Sequence, residues 1–150
     1  MSKFNSYIQL IEDEIFKAAS PEEVKQRKAK YPEMRLKEII DEILSRSTKN
    51  ADGTIDVEGD VKLDLNLKEL PDLNINKVNG DFNCAYNKLT SLEGCPNIVN
   101  GKFDCNNNKL TSLEGCPKEV NGYFWCRVNK KKFTEKEVRQ YCNVKGGINV

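Results

Sequence analysis

Between Val57 and Asn129, apolar and polar positions follow a 21-residue period written four times. Glycine returns at Gly59, Gly80, Gly101 and Gly122, and asparagine at Asn66, Asn87, Asn108 and Asn129. Two residues before each glycine stands Val57, Val78, Val99 or Val120; two after it stands Val61, Phe82, Phe103 or Phe124; four after it stands Leu63, Cys84, Cys105 or Cys126. A period this short predicts a solenoid, because one unit cannot bury its apolar side until the next lies on it. Each unit is expected to contribute one short strand with alternate residues pointing inward. The asparagines are expected to stack at the bend after that strand. There their amides satisfy backbone groups of the turn and of the neighbouring coil.

The middle copies read Phe-x-Cys-x-x-Asn-x-Leu-x-x-Leu, from Phe82 to Leu92 and from Phe103 to Leu113. This is the leucine-rich-repeat frame with Phe and Cys in two leucine places. The units that start at Asn87 and Asn108 share Asn-Lys-Leu-Thr-Ser-Leu-Glu-Gly-Cys-Pro. They resemble the short leucine-rich repeats of proteins from large tailed bacteriophages. The resemblance covers about half the chain, residues 54–131, and implies an interaction scaffold without naming a target.

Different periods flank the repeat. Phe4, Tyr7, Ile8, Ile11 and Ile15 recur at helical spacing over residues 3–18. Ser20, Pro21 and Glu23 form a capping-box start for a second helix to about Lys30. Pro32 restarts the chain into a third, whose stripe is Leu36, Ile39, Ile40, Ile43 and Leu44. Ser47 to Thr54 reads as a polar linker ending in an Asp-Gly turn. The first coil is less regular and needs a one-residue slip to align its leucines. The fourth loses its leucines after Arg127. A last helix is expected from Thr134, capped by Glu137, with Val138, Tyr141 and Cys142 inward and Gly146-Gly147 ending it. The predicted architecture is α+β: an N-terminal three-helix cap over residues 1–50, a solenoid of about four coils with parallel strands over 54–131, and a C-terminal capping helix and tail over 132–150. Helices at both ends are expected to cover the open strand edges.

Charge adds little polarity, with 24 basic and 23 acidic residues giving a net +1. Lys25, Arg27, Lys28 and Lys30, and the run Lys130 to Lys132, read as solvated faces or as phosphate contacts. No apolar run is long enough to span a membrane and no secretory signal is evident, so a cytoplasmic protein, in the host bacterium if phage-encoded, is expected. The six cysteines lie at 84, 95, 105, 116, 126 and 142, five of them in two columns of the repeat. They contain no Cys-x-x-Cys, and the chain has no histidine. A reduced structural core is therefore expected in preference to a disulfide or a metal site. Asp60, Asp81 and Asp104 do not form one column, so neither metal nor cofactor is expected.

Without histidine no Ser-His or Cys-His nucleophile pair exists, and no Gly-rich phosphate loop is present, so no enzymatic activity is expected. If the repeat columns face inward, the outward strand face carries Asp81, then Lys102 and Asp104, then Tyr123, Trp125 and Arg127. The last three alternate along one strand and are residue types that dominate binding hot spots. These six are the candidate partner-binding residues; the alternative is that Tyr123 and Trp125 pack beneath the C-terminal helix. The expected function is a non-catalytic protein-protein interaction module. The resemblance implies a phage protein that binds and inhibits or redirects a host or defence protein. The alternatives are a structural or assembly protein of a phage particle, or a weak nucleic-acid binder through the N-terminal helices.

Overall fold

The computed structural model describes Lys17, residues 20–30 and residues 32–150; the helix expected over residues 3–18 lies outside them. The chain divides after Ser45 into a helical unit and a solenoid unit. In the first, α1 (Pro21–Lys30) and α2 (Pro32–Ser45) follow one another as the prolines predict. Ser20 Oγ accepts the Glu23 backbone N–H at 3.3 Å and donates to the Glu23 carboxylate at 3.0 Å. Met34 and Ile43 are buried on α2, whereas Leu44, expected inward, is 46% exposed. It sits about 100° around the helix from Ile43, at the margin of the apolar stripe.

The second unit is a parallel-strand solenoid of five turns, one more than the period predicts. Each turn carries two short strands, so two sheets form instead of one. The first sheet runs β1 (Ser47–Lys49), β2 (Ile55–Val57), β4 (Ile75–Val78), β6 (Ile98–Val99), β8 (Glu119–Val120) and β10 (Asn143–Val144). The second runs β3 (Val61–Lys62), β5 (Phe82–Asn83), β7 (Phe103–Asp104), β9 (Phe124–Trp125) and β11 (Ile148–Asn149). All neighbours pair in parallel except β1, which lies antiparallel on β2. The expected linker is therefore a hairpin. Its turn closes through Asn50 N–H to Thr54 O at 2.8 Å, and Gly53 takes φ +86°. Arg46 sends its guanidinium to the Glu58 and Asp60 carbonyls, satisfying acceptors that no earlier coil covers.

The glycine column marks where one sheet turns tightly into the other. Gly101 N–H donates to Gly80 O at 2.9 Å, Gly122 to Gly101 at 3.0 Å and Gly146 to Gly122 at 3.1 Å. A Cβ on Gly101 would stand 2.8 Å from the Gly80 carbonyl carbon and oxygen. Close stacking of backbones, and not a positive φ, is what demands glycine there.

Inside, Phe82, Phe103 and Phe124 stack with ring centroids 5.9 and 5.0 Å apart, continuing from Val61. The column Val57, Val78, Val99, Val120 and Val144 closes the other wall, and Leu89, Leu92, Leu110 and Leu113 fill the return side. Where the fourth coil loses its leucines, α3 (Glu135–Tyr141) supplies the buried side chains Phe133, Val138 and Cys142 from its own turns and flanks. Its start is a complete capping box: Thr134 Oγ1 accepts Glu137 N–H at 3.2 Å, and Glu137 accepts Thr134 N–H at 2.9 Å. Tyr141, expected inward, is 49% exposed. The helix does not close the solenoid. It is inserted before a further coil, in which Val144, Gly146 and Ile148 take the places of Val120, Gly122 and Phe124. Gly146 and Gly147, expected to end the helix, form the tight turn of that coil. The repeat is hidden in the sequence because Val144 follows Val120 by 24 residues, three more than the period.

All six cysteines are free. Cys84, Cys105, Cys126 and Cys142 are buried, and Cys95 and Cys116 are half-buried. Burial, and then the charge of Glu137, push the Cys126 thiol up to about 12. Cys116 and Cys142 share a hydrogen bond that holds Cys142 down and Cys116 up.

Candidate interaction surface

The residues at issue sit on the outer face of the second sheet and on its two flanking bends. In-register pairing of Asn83 with Asp104 and of Asp104 with Trp125 carries one outward column across β5, β7 and β9. Alternation is short-lived, however, because each strand spans two residues. Ala85, two residues beyond Asn83 and so next in the outward alternation, is buried where the chain begins its bend.

Asp81 lies at the entry bend, where its carboxylate accepts the Lys102 backbone N–H at 2.7 Å. Asp60 treats Asp81 N–H in the same way at 2.8 Å. Asp104, expected to be exposed, is buried. The reason is geometric. Lys102 Nζ stands 3.5 Å from its carboxylate and 4.2 Å from the centre of the Trp125 ring, so ammonium and indole lie together beside it. The carboxylate also accepts Asn106 N–H at 3.1 Å. Asp81, Lys102, Asp104 and Trp125 thus form one internally satisfied cluster across three coils.

Tyr123 and Arg127 behave differently. Tyr123 is 58% exposed and lies alongside Gly147, where a Cβ would come within 3.0 Å of its ring. Arg127 is exposed, while its backbone N–H donates to Asn106 Oδ1 at 2.6 Å. The element paired beside Tyr123 and Trp125 is β11, with Asn149 opposite Trp125; the sequence offers a helix in that place. The six candidates therefore fall on one face, with Lys102, Asp81 and Asp104 as its braced floor and Tyr123, half-buried Trp125 and Arg127 as its reachable part.

Two ladders of side chains rigidify the flanks. At the entry bend Asn121 donates to Asn100 at 2.9 Å, Asn100 to Asn79 at 2.8 Å and Asn79 to Glu58 at 2.6 Å. At the exit bend Asn87, Asn108 and Asn129 reach backwards into the preceding coil. Asn66 is not on that ladder; it takes φ +59°, as Tyr86 does one coil later. This is the slip that separates the first coil from the others. Beside this corner, on successive coils, run exposed lysines that the sequence reading passed over as part of the repeat, Lys88 and Lys109. The signal was their common place after the asparagine.

Among the described residues, no group of three or more cysteines and carboxylates is arranged to hold a metal ion, and no helix is long and apolar enough to cross a membrane. Compared with models of protein families, with curated proteins and with solved structures, the chain matches none.

Proposed function

We propose that this protein is a non-catalytic protein-protein interaction module, built from coils that are a variant of the leucine-rich repeat. The observation that carries the reading is the face just described. An exposed tyrosine, a tryptophan braced by a lysine and an exposed arginine project from one rigid sheet. These residue types supply most binding energy at protein interfaces, and rigidity lowers the entropic cost of association. The likeness of the coils at Asn87 and Asn108 to phage repeats supports a setting in an infected bacterium, with a host or defence protein as the target. The test is affinity capture from bacterial lysate with the intact protein beside Tyr123→Ala with Trp125→Ala, the variant first shown by circular dichroism to be folded. Retention of one host protein by the intact form and its loss with the variant is the expected result. Retention by both places the contact elsewhere. Incorporation of the protein in fixed number into purified virions replaces the reading with a structural one.

A further inference from the structure

We propose that the free edge of β11 is a self-association surface, on which two copies of this chain join end to end about a two-fold axis through Ile148. The inference goes beyond the partner-binding reading, because it concerns how copies of the module assemble with one another.

Each interior coil turns backbone groups toward the coil that follows it. Gly122 C=O accepts Gly146 N–H at 3.1 Å, Phe124 N–H donates to Gly147 C=O at 3.0 Å and Cys126 N–H donates to Asn149 C=O at 2.9 Å. The groups in the same places on the fifth coil are Gly146 C=O, Ile148 N–H and Val150 N–H. Gly147 and Asn149 spend their carbonyls on β9, so strand alternation sends Ile148 C=O outward as well. None of these four groups has a hydrogen-bond partner among the described residues. A row of unpaired strand groups is a template for another strand.

The other ends of the two sheets are blunted. On the first coil, β1 lies antiparallel on β2, the Arg46 guanidinium covers the Glu58 and Asp60 carbonyls, and exposed Lys62 stands on β3. On the fifth coil, Val144 C=O of β10 accepts Arg139 Nη1 at 3.0 Å, and exposed Lys145 follows it. Lysines and covering groups of this kind protect sheet edges. The stretch Gly146-Gly147-Ile148-Asn149-Val150 carries neither charge nor proline. With one bare edge, association closes at two copies and does not run on into a filament.

The pattern of that edge selects a second copy as its occupant. A residue whose N–H and C=O both face outward can exchange both bonds with its own symmetry mate in an antiparallel pair. Ile148 is such a residue. The register that sets it opposite the second copy's Ile148 also sets Val150 N–H against the second copy's Gly146 C=O. All four open groups are satisfied in each copy. The same register brings Asn149 opposite the second copy's Gly147, in the closer, non-hydrogen-bonded type of pair, where a glycine leaves room. Packing agrees with the pairing. Phe82, Phe103 and Phe124 are buried along their column, but Ile148, which ends it, is only half-buried. The second copy's Ile148 supplies the next member. The edge has no charged or aromatic side chain by which a foreign strand would be chosen.

An axis perpendicular to the sheet keeps both outer faces on the same side. The two Trp125 side chains then stand three strand spacings apart, about 14 Å, so one continuous sheet presents the candidate face twice.

The test is sedimentation equilibrium of the full chain from about 10 μM to 1 mM, with amide exchange followed by NMR. The mass is expected to rise from 17.1 kDa toward twice that value, and exchange at Ile148 and Val150 to slow as it does. Ile148→Pro removes a donor that makes no bond within the chain. It is expected to be folded by circular dichroism and to weaken the dimer about tenfold or more, whereas Ile148→Val is expected to dimerise as the intact protein does. A mass that stays at one copy, growth beyond two copies, or a dimer undiminished in folded Ile148→Pro overturns the proposal. So does a dimer in which exchange at Ile148 and Val150 is unchanged, a result that needs no variant and decides the matter if Ile148→Pro does not fold.

Discussion

Asn108 accepts the backbone N–H of Leu89, in the preceding coil, at 3.0 Å, and its amide nitrogen donates to the Cys84 carbonyl of that same coil at 2.9 Å. One buried side chain thus closes two backbone groups that the parallel ladder leaves open at the bend. Replacing it by alanine strands the Leu89 N–H in the core and leaves the Cys84 carbonyl with Asn87 alone, at 3.0 Å. Asn108→Ala is expected to cost about 3 kcal/mol in urea unfolding, against about 1 kcal/mol for Asn107→Ala beside it, where a φ of +53° suits asparagine better than alanine. Equal effects at the two positions would contradict the ladder.

Gly101 has no room for a side chain, since a Cβ would meet the Gly80 backbone at 2.8 Å and the Asp81 carboxylate closer still. Gly53 has open space around it and a positive φ instead. Gly53→Ala is therefore expected to cost about 1–2 kcal/mol from backbone strain alone. Gly101→Ala, which must push two coils apart, is expected to cost about 3 kcal/mol or more. Thermal melts of the two variants check the order.

Phe103 is packed on both sides by Phe82 and Phe124. Phe103→Ala is expected to open a cavity and lose about 3–5 kcal/mol. Asn106→Ala should lose about 1 kcal/mol, because Asn106 Oδ1 accepts Arg127 N–H at 2.6 Å and is not a freely solvated group. Chemical denaturation of both measures the difference.

Asp56 is held below the usual carboxylate range by hydrogen bonds from Asn76 and Asn50 and by Lys77, against the opposing effect of burial. A carboxylate depressed in the folded state stabilises above its unfolded pKa of 3.8, and that contribution is lost as pH falls through the lower folded value. Asp56→Asn is thus expected to be less stable than the intact chain at pH 7, by about 1 kcal/mol. The gap should close below about pH 4. A gap that stays constant down to pH 2 would show that the charge of Asp56 contributes nothing.

Much of the solenoid is legible in single columns. Phe82, Phe103 and Phe124 are inward because each is apolar at the same step, and Asn87, Asn108 and Asn129 because an amide alone meets the backbone groups there. The candidate face is legible only in part. Counting outward positions finds Tyr123, Trp125 and Arg127, yet Asp104 is buried because Lys102 and Trp125 fold over it, a contact between coils that no local pattern encodes.

By itself, then, the sequence determined the period, the stacking columns, the helix starts at Ser20 and Thr134 and the turn at Gly53, because each depends on residues close in the chain or repeated at one step. Tertiary structure decided the rest. It paired residues 47–49 with β2, split each coil into strands of two sheets, and let α3 stand in for missing leucines before a fifth coil. Apart from the hairpin of residues 47–57, these outcomes rest on hydrogen bonds and packing between segments about 20 residues or more apart, whose energies depend on stacking distance and not on any local propensity.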